Sequence, residues 1–346
     1  MFLIVQLGGL LLAFYLISPS EVFVSQTGGG AGSADVLIYF AYLIVAALVM
    51  VVLFRKFRGQ FLFKGIEAIV IISSSFYLFL IILSSFLPQY HSYVFAASFV
   101  GAIALVAAKN KWPRLRNFTA IVASVGVGLV LGIYFSFFAS FVFMALVAAY
   151  DYVAVFITRH MLTLGRESVN RNLAFMVGTY DVEVVPRSYL KGKEAAAMQK
   201  ELAGVKGAAL KNLMKGGGIP IPSFSALGAG DLAIPLMLAV SAYTTYFSYF
   251  FSAILVASSC FGLVFSMYVS KRYRMALPAI PPLFSFASIG FGLYTLLTSP
   301  AQVSLYALLF AEGVVVLLIM IITAINQNRN GTGGRIAPRR PTSYRS

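Results

Sequence analysis

Long apolar runs separated by short polar connections follow one another along this chain. Ten of these runs approach the roughly 20 residues that a helix needs to cross a bilayer, so their hydropathy predicts transmembrane helices. The predicted spans are 2–18, 36–54, 66–87, 92–108, 118–135, 138–159, 226–242, 246–269, 275–298 and 302–325. Because only helices and closed barrels satisfy their backbone hydrogen bonds in lipid, the pattern predicts an all-α, polytopic transmembrane helix bundle.

The connections between these predicted helices alternate in charge. Every second connection is rich in Lys and Arg, and those between them carry neither residue. The positive-inside rule therefore places both termini and the long loop 160–225 in the cytoplasm, with the helices in the cell membrane. The predicted domains are an N-terminal six-helix half (1–159), a cytoplasmic basic loop (160–225), C-terminal helices (226–325) and a basic disordered tail (326–346).

Composition agrees with this interpretation. The chain is 60% hydrophobic and 11% charged, with a mean hydropathy of +0.88, whereas soluble domains carry about 25% charged residues. The net charge of +15 lies in the connections, which favours lipid headgroups over nucleic acid as its partner. The single cysteine, Cys260, excludes an internal disulfide, and His91 and His160 lie too far apart in sequence for a zinc pair, so we expect no metal.

Three carboxylates lie inside the apolar runs, namely Asp151, Asp231 and Glu312. Asp35 and Glu67 lie at predicted helix ends, where we expect water to reach them. Charges at membrane depth are costly, which makes the inner three functional candidates. Asp151 and Asp231 come out at similar depth from the inner ends of predicted helices six and seven, so they can face each other if those helices pack together.

Two carboxyls in a site of low dielectric constant do not both ionise easily, so one can serve as a base and the other as an acid, as in aspartic proteases. Two alternatives stay open from spacing alone. The acidic pair can serve an ion- or proton-coupled transporter, or it can be hydrogen-bonded for packing.

The sequence around Asp231 favours a site over simple packing. Gly228 and Gly230 leave the backbone bare, which allows another chain to approach closely. Pro235 has no N–H to donate to the carbonyl of Asp231, so we expect a kink just after the aspartate. A small-residue packing motif explains the glycines but not the aspartate.

A proline-rich segment opens the ninth predicted helix. It reads Ala276-Leu277-Pro278-Ala279-Ile280-Pro281-Pro282. Prolines interrupt regular hydrogen bonding, so this segment can stay extended and pair with a substrate strand. The alternative is an ordinary helix start, where proline is favoured.

These elements together resemble the presenilin and signal-peptide-peptidase family of intramembrane aspartyl proteases, and are most like microbial presenilin homologues. The matching motifs are Tyr150-Asp151, Gly228-Ala229-Gly230-Asp231 and Ala276-Leu277-Pro278, with Pro278-Ala279-Ile280 as a second register for the third. The resemblance implies nine core helices, so 302–325 is a C-terminal addition. We read its Glu312 as a polar contact to the bundle, with a modulating role as the alternative.

The resemblance also implies an activity. It is peptide-bond hydrolysis within transmembrane-helix substrates by an activated water, with no metal or cofactor. Asp151 and Asp231 would be catalytic, and substrate would be positioned by Tyr150, Gly228, Gly230, Ala276, Leu277 and Pro278. Nothing in the sequence requires accessory subunits, although it does not exclude them. A prepilin-type peptidase shares the Gly-x-Gly-Asp pattern but does not need the proline-rich segment, and it stays an alternative.

The loop 160–225 carries three further expectations. Residues 191–215 have apolar positions at helical spacing between lysines, which indicates either a basic amphipathic helix on the membrane or a solvated helix. Segments 175–177 and 182–185 suggest a short hairpin that could offer an edge to an unwound substrate. By the resemblance, self-cleavage is conceivable near Gly216–Gly218.

Overall fold

The computed structural model describes residues 1–17, 33–56, 60–112, 115–158, 176–186, 218–273, 277–298 and 303–329. Within these ranges the chain forms ten α-helices and two strands. The helices are α1 (Phe2–Leu16), α2 (Ser33–Lys56), α3 (Gln60–Phe86), α4 (His91–Lys111), α5 (Arg116–Tyr134), α6 (Phe137–Tyr152), α7 (Ala229–Tyr246), α8 (Tyr249–Tyr273), α9 (Ile280–Thr298) and α10 (Val303–Arg329). The all-α bundle of ten helices is thus confirmed. Helix α10 runs past the predicted boundary at 325, and the rest of the predicted tail lies outside the described residues.

Six of the described helices are long and apolar enough to cross a bilayer on their own, namely α3, α4, α5, α6, α8 and α9. Helices α1, α2 and α10 contain shorter apolar stretches. Helix α7 differs because it is enclosed by the others, and every side chain from Leu232 to Thr244 is buried. A helix surrounded by protein on all sides presents no face to lipid, so its length and hydropathy are not set by the bilayer.

Helix α7 is the centre of the bundle and packs against α1, α5, α6 and α8. Its contact with α5 is close because two glycines of α5 leave room for its backbone. A Cβ added at Gly132 would lie 2.6 Å from the Val240 Cβ and 2.9 Å from the Met237 carbonyl oxygen. Close approach over small residues is a usual way for helices to associate in membranes. The middle of α7 therefore packs closely against α5.

Glu67 corrects one expectation from the sequence. It is 1% exposed, not open to water, and its Oε1 lies 2.7 Å from the Nζ of Lys109. Helices α3 and α4 pack along each other, which brings the two charges together although they lie far apart in sequence. A buried carboxylate needs such a partner, because leaving it alone away from water is costly.

The strands β1 (Met176–Pro186) and β2 (Gly218–Gly228) form a two-stranded sheet. The predicted hairpin is wrong, because β1 continues without a turn through residues 178–181 and its partner is the distant β2. Thr179 and Tyr180 favour strands over turns. Pro220 and Pro222 argued against a strand, but both strands of a two-stranded sheet are edges, where proline is tolerated.

The chain divides into two compact units, Met1–Val177 with Leu227–Arg335, and Gly178–Ala226 with Ile336–Ser346. The first contains the ten helices. The described part of the second consists of residues of β1 and β2. The predicted helix at 191–215 lies outside the described residues, and so does most of the segment considered for self-cleavage.

Candidate active site

Asp151 lies in the last turn of α6, where the chain passes into a π-helical turn at Val153–Ile157. It is buried, with 7% of its surface exposed. Its Oδ2 accepts a hydrogen bond of 3.3 Å from the backbone N–H of Ile280, the first residue of α9. The Asp151 carboxyl on α6 is therefore bound at the N-terminal end of α9.

The proline-rich segment explains why α9 presents that particular donor. The first N–H groups of a helix have no partner within it, but Pro281 and Pro282 have no N–H at all. The N–H of Leu283 is already directed to the carbonyl of Ala279, at 3.4 Å. The N–H groups of Ile280 and, just before the helix, Ala279 are therefore the ones that bind Asp151, and the positive end of the α9 dipole favours an anion there.

The start of α9 also settles how this segment folds. The predicted span began at residue 275, but Leu277 and Pro278 are not helical and α9 begins only at Ile280. The helix start with prolines in its first turn agrees with the second interpretation, and pairing of the preceding residues with a substrate strand stays a prediction. Of the two registers, the one ending at Ile280 supplies the contact to Asp151.

Asp231 is the third residue of α7 and binds the start of its own helix. Its Oδ2 accepts a hydrogen bond of 3.1 Å from the N–H of Gly228, the residue that caps α7. The expected depth of several residues within a helix is therefore wrong. The segment before Ala229 is strand β2, so the aspartate lies in the first turn. A carboxylate in this position stabilises a helix N-terminus.

The two glycines beside Asp231 have different surroundings. A Cβ added at Gly228 would lie 3.1 Å from the Oδ2 of Asp231, whereas one added at Gly230 would meet nothing within 4 Å. Gly230 is exposed, and Asp231 is partly exposed. The side of the aspartate next to Gly230 is thus open to an incoming molecule.

The two aspartates are brought together by the packing of α6 against α7. The two carboxyls lie close enough to interact electrostatically, as their predicted placement on facing helices requires. Each member is held by a backbone N–H at a helix start. Among the described residues, no group of three or more His, Cys, Asp or Glu side chains is arranged to bind a metal ion.

The other predicted site residues differ in how far they are buried. Tyr150 is partly buried next to Asp151 in α6, Leu277 is partly buried, and Pro278 is buried at the approach to α9. Ala276 lies outside the described residues.

Sequence reasoning did not single out two side chains that hold the start of α7. The Nε2 of Gln6 in α1 donates to the carbonyl of Leu232 at 2.8 Å, and the Oγ of Ser124 in α5 lies 3.2 Å from the carbonyl of Ala229. Both contacts fall within two residues of Asp231. The signal for Gln6 was its polarity within an otherwise apolar first helix; Ser124 had no comparable signal.

Comparison with known proteins agrees with this geometry. The family model described as signal-peptide peptidase, presenilin aspartyl protease matches residues 1–299. A solved structure described as a presenilin family intramembrane aspartate protease in a P2 space group has a TM-score of 0.52 and 22% identity, covering 86% of this chain and 96% of that chain. One in a C222 space group has a TM-score of 0.49 and 20% identity, covering 84% and 94%. No curated protein matched the chain.

The matched residues include all nine helices from α1 to α9 and both aspartates. The comparisons give no support to the transporter alternative. Since the family match spans most of its length, the chain belongs to the signal-peptide-peptidase and presenilin aspartyl protease family, and it is an intramembrane aspartyl protease.

Proposed function

We propose that Asp151 and Asp231 are the catalytic pair of this protease and that its substrates are proteins with transmembrane helices. The observation that carries the proposal is the placement of the two carboxyls. They come from neighbouring helices, interact electrostatically, and are each bound by a backbone N–H. Donors fixed in this way hold the carboxyl oxygens in place without the reorganisation that solvent would require.

The pair can perform hydrolysis with one carboxyl ionised and the other protonated. The ionised carboxylate takes a proton from a water molecule, and the water oxygen forms a bond to the peptide carbonyl carbon. The protonated carboxyl gives its proton to the carbonyl oxygen. When the C–N bond breaks, the leaving nitrogen takes the proton that the first carboxyl had received from water, and a hydroxyl of the tetrahedral intermediate returns its proton to the second carboxyl. A new carboxyl end and a new amine end are then released, and both aspartates are back in their starting states.

The surroundings of the pair suggest how a substrate is positioned. A peptide must leave the helical conformation to expose a carbonyl to water, and it then needs space beside the aspartates. The open face at Gly230 offers such space, and Gly228 keeps the backbone close to Asp231. The non-helical Leu277 and Pro278, together with Ala276 and Tyr150, are proposed to contact the unwound substrate.

The membrane orientation is also part of the proposal. The alternation of basic and uncharged connections supports cytoplasmic termini and a cytoplasmic 160–225 loop, with the enzyme in the cell membrane. Nothing in the bundle requires an accessory subunit, and purified chain alone is therefore the right material for a test.

The test measures cleavage of a transmembrane-helix peptide by the purified chain, with products read by mass spectrometry. We expect wild type to cut within the apolar stretch. Asp151→Asn and Asp231→Asn should each lower the rate by at least about a thousandfold, because general acid and base catalysis each contribute roughly 10²–10⁴-fold and here share one water.

Glu312→Gln is the matched control, since it makes the same carboxyl-to-amide change in a partly buried residue of the bundle. It should retain most of the wild-type rate. Persistent cleavage by either aspartate variant would show that the assignment is wrong or that a contaminant cuts the peptide.

A further inference from the structure

The tenth helix contacts the rest of the bundle on α9 and at the residue that follows Asp151. It begins at Val303, beyond the last residue of the family match, 299. Helix α10 packs along α9, and Gly313 allows a close approach there. A Cβ added at Gly313 would lie 2.7 Å from the carbonyl oxygen of Ser285 and 2.9 Å from the Cγ1 of Ile289. This holds α10 against the helix whose first N–H binds Asp151.

The second contact joins α10 to α6. The Oγ1 of Thr323 lies 2.7 Å from the hydroxyl oxygen of Tyr152, the residue immediately after Asp151. The same Oγ1 donates to the carbonyl of Ile319 in its own helix, at 2.8 Å. Since a threonine hydroxyl has a single proton, the Tyr152 hydroxyl is the donor to Thr323.

An apolar cluster surrounds this hydrogen bond. Met320, which is 1% exposed, packs with Val155 and Phe156 of the π-helical turn. Three partly buried side chains complete this Met320 cluster, namely Tyr152, Phe265 and Leu277. Helix α10 thus packs on the turn that follows Asp151, in a cluster that also includes Leu277 of the proline-rich segment.

The π-helical turn is the reason such support matters. Its wider spacing departs from the regular hydrogen bonding of an α-helix, and turns of this kind occur mostly at functional sites. Here the departure begins two residues after Asp151, so the aspartate lies at the end of the regular part of α6. Its position then depends on what packs against the turn.

We propose that α10 is a positioning element that this chain adds to its family's fold, and that Thr323 and Met320 fix Asp151 relative to Asp231. This inference rests on the proposed catalytic role of the two aspartates. Helix α10 contacts both helices that hold Asp151. Its Thr323 bonds to Tyr152 of α6, and its Gly313 packs against α9. A small displacement of a reacting group lowers the rate of a chemical step far more than it weakens substrate binding.

The test compares kcat and KM for Thr323→Val, Thr323→Ser and Thr298→Val in the purified full-length chain, on one cleaved transmembrane peptide. Thr323→Val keeps the shape but removes the acceptor for Tyr152, and we expect kcat to fall about three- to tenfold with KM unchanged. Thr323→Ser keeps the hydroxyl and should restore kcat. Thr298 is exposed, and its hydroxyl donates to the Tyr294 carbonyl of its own helix α9 at 2.9 Å, so its valine variant should match wild type.

A double variant isolates the hydrogen bond. Tyr152→Phe removes the donor, so combining it with Thr323→Val should lower kcat no further than either change alone. The proposal is overturned if Thr323→Val lowers only the melting temperature and leaves the kcat of the folded enzyme unchanged. It is also overturned if Thr298→Val loses as much activity. Failure of the catalytic pair would look different, because the aspartate variants would then keep cutting the same peptide.

Discussion

At the scale of single residues, the geometry of the candidate site depends on which groups donate hydrogen bonds to each aspartate carboxyl. Ile280 and Gly228 offer backbone N–H groups, at 3.3 Å and 3.1 Å from Asp151 and Asp231. Only a substitution by proline removes a backbone donor, but other substitutions can displace it. The glycines beside Asp231 therefore give the most direct test of the geometry.

Gly228→Ala and Gly230→Ala should have different effects. A Cβ at position 228 would lie 3.1 Å from the Oδ2 of Asp231, a contact tight enough to move the carboxyl. We expect kcat to fall at least about tenfold, in line with the sensitivity of catalysis to small misplacements.

At Gly230 the added Cβ meets no atom of the described residues within 4 Å, so the melting temperature should stay within about 2 °C of wild type. If the open face receives the substrate, KM should rise. Thermal unfolding together with full kinetics separates the two outcomes, and an unchanged KM for Gly230→Ala would show that substrate does not pass there.

At the scale of elements, the site depends on α7 being held by its neighbours. Gln6 and Ser124 reach the first turn of α7 from α1 and α5. Farther along, Gly132 brings the α5 backbone against α7, and the hydroxyl of Thr244 lies 3.2 Å from the Gly132 carbonyl. These contacts fix the axis on which Asp231 sits.

Gly132→Ala should separate α5 from α7. The new Cβ would lie 2.9 Å from the Met237 carbonyl oxygen, where backbone cannot yield easily. Overpacking of this kind typically costs about 1–3 kcal/mol, and we expect the melting temperature in detergent to fall by several degrees.

Gly65→Ala is the matched control on α3, because a Cβ there meets nothing within 4 Å. It should be neutral or slightly stabilising, since alanine favours helix over glycine. Equal unfolding temperatures for the two variants would show that the α5–α7 contact is less tight than its distances indicate.

At the scale of the whole molecule, the bundle exposes large apolar side chains and buries charged ones, which suits a surface in contact with lipid. Large apolar side chains such as Leu11, Phe95 and Phe261 are exposed, whereas the polar and charged groups of Glu67, Lys109 and Asp151 are buried. In water such a surface would drive aggregation. The orientation of the bundle across the membrane, predicted from the positive-inside rule, has yet to be tested.

Cysteine labelling tests that orientation. In a Cys260→Ala background, Gln89→Cys places a single thiol on the connection between α3 and α4, and Arg272→Cys places one at an exposed position in the last turn of α8. By the positive-inside rule, a membrane-impermeant maleimide should label position 89 in intact cells and position 272 only after lysis. The opposite pattern would invert the proposed topology, and labelling of both in intact cells would mean that cells were leaking.

Hydropathy and a few polar residues were enough to predict the ten helices, the acidic pair and the family resemblance. Those features are local, because an apolar run long enough to span lipid has few other structures open to it. The strand pairing was not predictable, since β1 and β2 lie far apart in sequence and β2 carries prolines. Because β2 was not predicted, helix seven was expected to begin at residue 226 and Asp231 to lie several residues inside it. Asp231 lies instead in the first turn of α7.

Only the tertiary structure decided which groups bind the two aspartates and what supports them. The N–H of Ile280 reaches Asp151 because α9 packs on α6 and its prolines remove competing donors. Helix packing likewise brings Gln6 to Leu232, Lys109 to Glu67, and Tyr152 to Thr323. Each contact joins residues on separate helices, and their distances are set by packing, which no local pattern of the sequence records.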